Sequence, residues 1–166
     1  MPILPSVAEQ VLAPLEACAR LGIAAVLGGA IGLNRERRRG LAGLRTHTIV
    51  ALGSAAVVLF AADSGLGPDA RSRVMQGILQ GVGFLGAGTI VQMSHKGEVR
   101  GLTTASTVWF VAVLGIGAAV APIWLPIAAT ATALLVLGPL EMLERRLERT
   151  YRPSGDMEPR EPDEPL

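Results

Sequence analysis

Long apolar stretches separated by short clusters of charge run along most of the chain. Five stretches can be distinguished, and each holds roughly 17 to 20 residues, enough at about 1.5 Å per residue to cross most or all of a bilayer core. The pattern therefore predicts an all-α, polytopic membrane protein with five transmembrane helices. The predicted spans cover residues 17–33, 46–62, 74–93, 102–120 and 124–143.

The distribution of positive charge predicts the orientation of these helices. Twelve of the fifteen Lys and Arg residues lie in the segments that follow predicted helices 1, 3 and 5. Because positively charged loops stay in the cytoplasm, we predict that the N-terminus lies outside and the C-terminus lies in the cytoplasm. We divide the chain into an N-terminal segment at 1–16, a transmembrane domain at 17–145 and a tail at 146–166. The tail is rich in proline and charge, so we predict that it is disordered.

Composition is also typical of a membrane protein, and it excludes some kinds of site. Of the 166 residues, 50% are hydrophobic and only 17% are charged, whereas soluble domains carry about a quarter charged residues. The net charge of +1 does not indicate a nucleic-acid partner, and we expect none. The single cysteine, Cys18, excludes an intramolecular disulfide and a cysteine metal cluster. We interpret it as a small buried side chain.

Glycines are concentrated in the first and third predicted helices. In the first, Gly28 and Gly32 have the small-xxx-small spacing that lets another helix approach closely. The third contains a run that superficially fits the dinucleotide fingerprint G-x-G-x-x-G, but this run lies inside an apolar span rather than after a strand. It serves either close packing or a local break whose backbone groups bind a ligand. The candidate packing residues are Gly28, Gly32, Gly81, Gly83, Gly86 and Gly88.

Polar residues collect at the predicted cytoplasmic ends of helices 1 to 4. Glu36 is either part of a solvated surface ion pair or an intramembrane carboxylate with an arginine partner. Arg45 at the start of a helix is unfavourable to the helix dipole, which suggests a partner such as Glu36, a phosphate or lipid headgroups. His47 is either a residue that titrates near neutral pH or a hydrogen-bonded interfacial histidine. The predicted functional cluster contains Arg35, Glu36, Arg45, Thr46, His47, Gln92, Arg100, Thr103 and Thr104.

The fourth helix begins with a run of hydroxyl residues. Thr103, Ser106 and Thr107 share a face at i, i+3, i+4 spacing, so their hydroxyls can bond back to the helix or onward to a partner. Trp109 lies deeper than a tryptophan at a membrane interface, and we predict that it packs inside the protein.

Six short motifs follow one another along the chain: IG at 31–32, RE at 35–36, AGLRTH at 42–47, GFLGAG at 83–88, GLTTA at 101–105, and Trp109. Over about residues 20–145 this order resembles the MgtC/SapB family of bacterial membrane proteins. The resemblance implies a five-helix domain in the bacterial inner membrane, linked to growth in low magnesium and, in pathogens, to survival inside macrophages. It implies a regulatory role, including restraint of the F-type ATP synthase in some members, rather than magnesium transport. Longer members carry a soluble C-terminal domain, whereas a short, proline-rich tail is predicted after the fifth helix here, so the resemblance does not extend to functions that depend on that domain.

These residues exclude one class of function and favour another. An ATPase is excluded because the sequence contains no G-x-x-x-x-G-K-[ST] loop and has a single lysine, Lys96. We therefore expect no enzymatic activity and no cofactor. A regulatory or interaction protein fits the glycine-rich helix faces and the basic inner surface. Its expected partners are the lipid bilayer and another membrane protein, and a homo-oligomer remains open.

A magnesium or other ion transporter, working as an oligomer, is the alternative. Magnesium in proteins is usually bound by one or two carboxylates, and Glu36 is the candidate metal ligand, although the arginines around it would repel a divalent cation. A third hypothesis is a small-molecule or anion site built from Arg45, His47, Arg100 and Thr103. For the regulatory function, we predict a polar lock between Glu36 and Arg45 that shapes a partner-binding face.

Overall fold

The computed structural model describes residues 7–91 and 101–140, and the regular elements among them are all helical. The all-α class and the five predicted helices are confirmed. After the fifth helix, Val136–Leu140 form a π-helical turn that contains Pro139. The helices are α1 Val7–Arg37, α2 Leu44–Asp63, α3 Pro68–Val91, α4 Leu102–Val120 and α5 Trp124–Leu135.

The first helix begins earlier than the apolar pattern suggests. α1 starts at Val7, ten residues before the predicted span at 17, so the N-terminal segment contributes part of this helix. The added residues include Glu9, Gln10 and Glu16, which form helices readily but are too polar for an apolar window. Helix formation and membrane burial therefore have different boundaries in this part of the chain.

Three of the helices are long and apolar enough to cross a membrane. They are Leu12–Arg37 within α1, then α2 and α4. α5 belongs to a shorter apolar segment, Trp124–Pro139, and α3 carries the glutamines Gln76 and Gln80 on an exposed face. The protein is thus a helical membrane protein, while the count of five spans and the orientation stay predictions.

The core of the bundle is formed by α1, α2 and α4, and α3 packs against α2 and α4. Most of its buried side chains are small: Ala24, Ala51, Ala55 and Ala112 are almost inaccessible. Lipid offers apolar side chains as good an environment as the protein interior does, so helices in a bilayer are held by close van der Waals contact rather than by burial of large side chains. Small residues make that contact possible.

Glycines bring α1 and α4 into close contact with α2 near Ala51. A Cβ atom added at Gly28 would lie 2.6 Å from Ala51 Cβ and 2.7 Å from the carbonyl oxygen of His47. At Gly32 an added Cβ would come within 2.8 Å of the α2 backbone, and at Gly115 it would overlap the Ala51 carbonyl oxygen. The predicted small-xxx-small contact of α1 is therefore made with α2, inside one protomer.

Of the four α3 glycines predicted to pack against another helix, Gly86 makes such a contact among the described residues. Gly86 packs on Ala105 of α4, with an added Cβ 3.4 Å from the Ala105 carbonyl oxygen. Gly81, Gly83 and Gly88 have no described neighbour within 4 Å of an added Cβ. α3 is continuous from Pro68 to Val91, so the alternative of a local break in the helix is wrong.

At the end of the bundle that contains Asp63, two arginines bind the C-terminal carbonyl groups of other segments. Arg20 Nη1 donates to the carbonyl oxygens of Ala118 and Ala119 at 3.1 and 3.0 Å, and its Nη2 pairs with Glu16 at 2.9 Å. Arg71 donates to carbonyl oxygens at the end of α2 and in the loop that follows. Positive charge at a helix C-terminus is favourable because it opposes the partial negative charge there.

Two predictions about burial are wrong. Trp109, which we predicted to pack inside, is 44% exposed, and Cys18 is also exposed. For Trp109 the reason is that the positions facing the other helices must be small, and a large apolar ring loses little by facing lipid. The interior positions near Trp109 belong instead to Val108 and Ala112.

We predict that Gly28→Ala lowers the stability of the bundle by about 1–3 kcal/mol, because the added methyl group overlaps Ala51 and the α2 backbone. Gly22→Ala, in the same helix but with no described neighbour within 4 Å, is the matched control, and we expect it to be neutral or stabilising by up to about 1 kcal/mol. Unfolding of the purified protein in mixed detergent, followed by circular dichroism, measures both. Equal stabilities for the two variants would contradict the packing of α1 on α2.

Candidate functional site

The opposite end of the bundle, which contains His47, gathers the polar residues of the central helices. Here α1 ends, and α2 and α4 begin. The carboxylate of Glu36 accepts a hydrogen bond from the backbone N–H of Leu44 at 2.8 Å. Gly43 at the N-cap has no side chain to do this, so Glu36 caps α2 from the preceding helix. A carboxylate is well suited to this position because the N-terminus of a helix carries partial positive charge.

The cap replaces the ion pair predicted from the sequence. Among the described residues, Glu36 and Arg45 form no ion pair, since the carboxylate lies against Gly43 and Leu44 instead. Arg45 and Thr46 are exposed in the first turn of α2. The polar lock therefore joins a side chain to the backbone rather than to a second side chain.

The loop between α1 and α2 is held by the end of α1 itself. Gly40 N–H donates to the Arg35 carbonyl at 2.8 Å and Arg39 N–H donates to the Glu36 carbonyl at 3.0 Å. Arg39 has a φ of 54°, so these bonds form the Schellman arrangement that closes many helices. Gly40 packs over Arg35, and only 9% of Arg35 is exposed. The last turn of α1 thus fixes the path of the chain into α2.

His47 is completely buried and connects α2 to α4. Its Nδ1 lies 2.8 Å from the Gly43 carbonyl oxygen, and its Nε2 lies 3.0 Å from Thr107 Oγ1. The Thr107 hydroxyl lies 2.9 Å from the Thr104 carbonyl oxygen. A buried imidazole needs partners for both nitrogens, and here one partner comes from each helix. Of the two sequence interpretations of His47, this geometry matches the hydrogen-bonded histidine, although it lies in the interior rather than at an interface.

The protons in this network can be assigned from the chemistry of its atoms. A carbonyl oxygen only accepts, so Nδ1–H of His47 donates to Gly43. In the neutral ring Nε2 is an acceptor, and the Thr107 hydroxyl must share its one proton between Nε2 and the Thr104 carbonyl. In the protonated ring Nε2–H donates to Thr107, whose hydroxyl donates to Thr104. The network therefore accommodates either protonation state with the same heavy-atom positions.

Gly101 lies where the start of α4 meets the end of α3 and the α1–α2 loop. It precedes α4 with a φ of 97°, a conformation that side chains with a Cβ rarely adopt. An added Cβ would lie 2.8 Å from the Thr89 carbonyl oxygen and 3.3 Å from Leu41 Cδ1. The start of α4 therefore touches both the end of α3 and the α1–α2 loop.

The structure unites part of the predicted functional cluster. Arg35, Glu36, His47 and Thr104 lie at this end of the bundle, while Thr103, like Arg45 and Thr46, is exposed. Gln92 and Arg100 lie outside the described residues. Sequence reasoning omitted Thr107 from the cluster because it grouped this residue with Thr103 and Ser106. The buried face instead contains Thr104 and Thr107, at i, i+3 spacing.

The same motifs identify the relatives of this protein. Residues 21–146, more than half of the chain, match the MgtC family. The chain belongs to the MgtC family. No solved structure matches it.

Similar proteins occur in several bacteria. Protein SrpB from Synechococcus elongatus is 47% identical over 107 residues, which are 58% of this chain and 59% of SrpB. Protein MgtC from Brucella abortus is 46% identical over 105 residues, covering 63% of this chain and 42% of that protein. Protein MgtC from Salmonella typhimurium is 43% identical over 93 residues, covering 56% and 38%. This MgtC-family chain therefore spans between about two fifths and three fifths of these relatives.

We predict that Glu36→Ala destabilises this MgtC-family protein by about 1 kcal/mol, because the N-terminus of α2 loses its cap. Glu36→Gln keeps an acceptor oxygen and should lose less. The combined change Glu36→Arg with Arg45→Glu should not recover stability, because the partner of Glu36 is a backbone amide. Denaturant titration in detergent measures all three, and recovery by the exchanged pair would restore the ion-pair interpretation.

A second prediction concerns the link between α2 and α4. Thr107→Val removes a hydroxyl with almost no change of shape and leaves Nε2 of buried His47 without its partner, so we expect a loss of about 1–3 kcal/mol. Thr132→Val is the control, because the Thr132 hydroxyl is exposed and bonds only to the Ala128 carbonyl of its own helix. Thermal unfolding in detergent compares the variants, and similar melting temperatures would show that the His47–Thr107 bond contributes little.

Proposed function

We propose that this MgtC-family protein is a regulatory or interaction protein of the bacterial inner membrane that supports adaptation to low magnesium and catalyses no reaction. The observation that carries the proposal is the Glu36 cap. The carboxylate that was the candidate metal ligand uses an oxygen to hold the Leu44 N–H at the start of α2. Its role in the protomer is therefore to build the His47 end of the bundle, which favours a binding surface over a transport path.

The packing of the central helices supports the same choice. Ala51, Ala55 and Val111, on α2 and α4, are fully buried in the core of the bundle. A solute that passed between these helices would have to separate backbones that touch at glycines. Magnesium also retains its hydration water strongly, so such a path would need polar lining, whereas these side chains are aliphatic.

The exposed charges at the His47 end indicate the kind of partner. Arg37, Arg39 and Arg45 are exposed around the α1–α2 loop. This surface is suited to an acidic protein or to anionic lipid headgroups, and it would face the cytoplasm in the orientation that the charge distribution predicts. The F-type ATP synthase, which the family resemblance suggests for some members, is a candidate partner.

We predict that the protein restores growth of a mutant that lacks its own MgtC-family protein in low magnesium, without moving magnesium itself. The purified protein in proteoliposomes, with an internal magnesium indicator dye, should show no flux above that of empty vesicles. Changing Arg37, Arg39 and Arg45 to Gln should abolish the growth effect, because the partner surface loses three charges.

Arg73→Gln is the matched control for this surface, since Arg73 is an exposed arginine near the beginning of α3. We expect Arg73→Gln to grow like the wild type. Magnesium flux that disappears in Glu36→Gln would overturn the proposal and make the protein a transporter. If the triple variant grew as well as the wild type in low magnesium, the basic surface would not be needed for the function.

A further inference from the structure

An open groove of about 550 Å³ lies between α1 and α2 at the Asp63 end of the bundle. Its walls are mainly aliphatic and include Ala17, Leu21, Ala56 and Leu59. A volume of this size accommodates a small ligand or part of a lipid. The groove belongs to neither the His47 cluster nor the basic surface described above.

Three charged residues line this groove at its Asp63 end. Asp63 is the last residue of α2, and Glu16 lies in the N-terminal half of α1. Arg20 follows Glu16 by one helical turn, and its Nε and Nη2 lie 3.0 and 2.9 Å from Glu16 Oε1. Leu21 and Ala56 lie closer to the middle of their helices. The groove thus carries its charges at the Asp63 end and continues toward the middle of the bundle as an aliphatic wall.

The guanidinium of Arg20 retains one donor for a ligand. An arginine has five N–H groups. Nε and Nη2 each donate to Glu16, and Nη1 donates to two α4 carbonyl oxygens. One N–H of Nη2 therefore has no described acceptor. Asp63 likewise forms no hydrogen bond or ion pair with any described residue.

We propose that this groove binds a phospholipid whose headgroup carries a primary ammonium, namely phosphatidylethanolamine. Such a lipid carries an ammonium and a phosphate at one end and acyl chains at the other. The groove likewise carries the Asp63 carboxylate and the Arg20 guanidinium at one end and aliphatic walls beyond them. Asp63 receives the ammonium, Arg20 donates to the phosphate, and the chain follows Leu21 and Ala56. Phosphatidylglycerol lacks the ammonium, and the trimethylammonium of phosphatidylcholine has no N–H to donate.

Native mass spectrometry of the full chain from detergent tests the proposal, with equimolar dioleoyl phosphatidylethanolamine, phosphatidylcholine and phosphatidylglycerol. The wild type should retain phosphatidylethanolamine about threefold to fivefold over the other two, the preference expected from an ion pair open to solvent. Asp63→Asn should abolish that preference. Asp69→Asn, which removes an exposed acid from the first turn of α3, should leave it unchanged.

A second pair of variants tests the position of the acyl chain. Ala56→Phe fills the groove and should lower retention of all three lipids, whereas Val57→Phe places the same ring on the neighbouring, 43% exposed position of α2 and should not. Unfolding temperatures confirm that these variants fold. Equal retention of the three lipids by the wild type, or a preference that survives Asp63→Asn, would overturn the proposal.

Discussion

The bundle depends on one close approach of backbones. Near Ala51 the second helix is approached by Gly28 of α1, which meets the Ala51 methyl group and the His47 carbonyl, and by Gly115 of α4, which meets the Ala51 carbonyl. Van der Waals contact of this kind acts only over short distances, so it fixes both the separation and the rotation of the helices. One turn before Ala51, the same rotation directs His47 toward Thr107. The polar contact is thus a consequence of the glycine contact.

Three charged side chains bind backbone groups at or near the ends of helices. Glu36 satisfies an N–H group at the start of α2, while Arg20 and Arg71 satisfy carbonyl groups at or beyond the ends of α4 and α2. In each case the sign of the side chain opposes the partial charge of the helix end. An unsatisfied backbone group in hydrocarbon would cost several kcal/mol. These residues therefore let the short loops of the protein remain close to the bilayer.

Much of the fold could be predicted from the sequence, whereas the contacts of the site could not. Apolar stretches of the right length locate helices directly, and the spacing of Gly28 and Gly32 correctly indicates a close helix contact. The sequence predicts Arg45 as the partner of Glu36, whereas the structure shows the Leu44 N–H. A sequence shows charged side chains but does not show which backbone N–H groups lack an acceptor. The buried face of α4 was assigned wrongly because this helix is apolar on every side, so Trp109 and Thr107 could not be placed by periodicity.

The bond between Arg20 and α4 joins residues that are 98 and 99 positions apart, and this separation imposes an order on assembly. A ribosome completes α1 long before the Ala118 carbonyl exists, so the guanidinium first meets the membrane with Glu16 as its local counter-ion. Only after α4 has been inserted can its last turn accept the two hydrogen bonds. The ion pair within α1 therefore neutralises the charge from the start and persists in the folded bundle, where docking of α4 adds two hydrogen-bond acceptors.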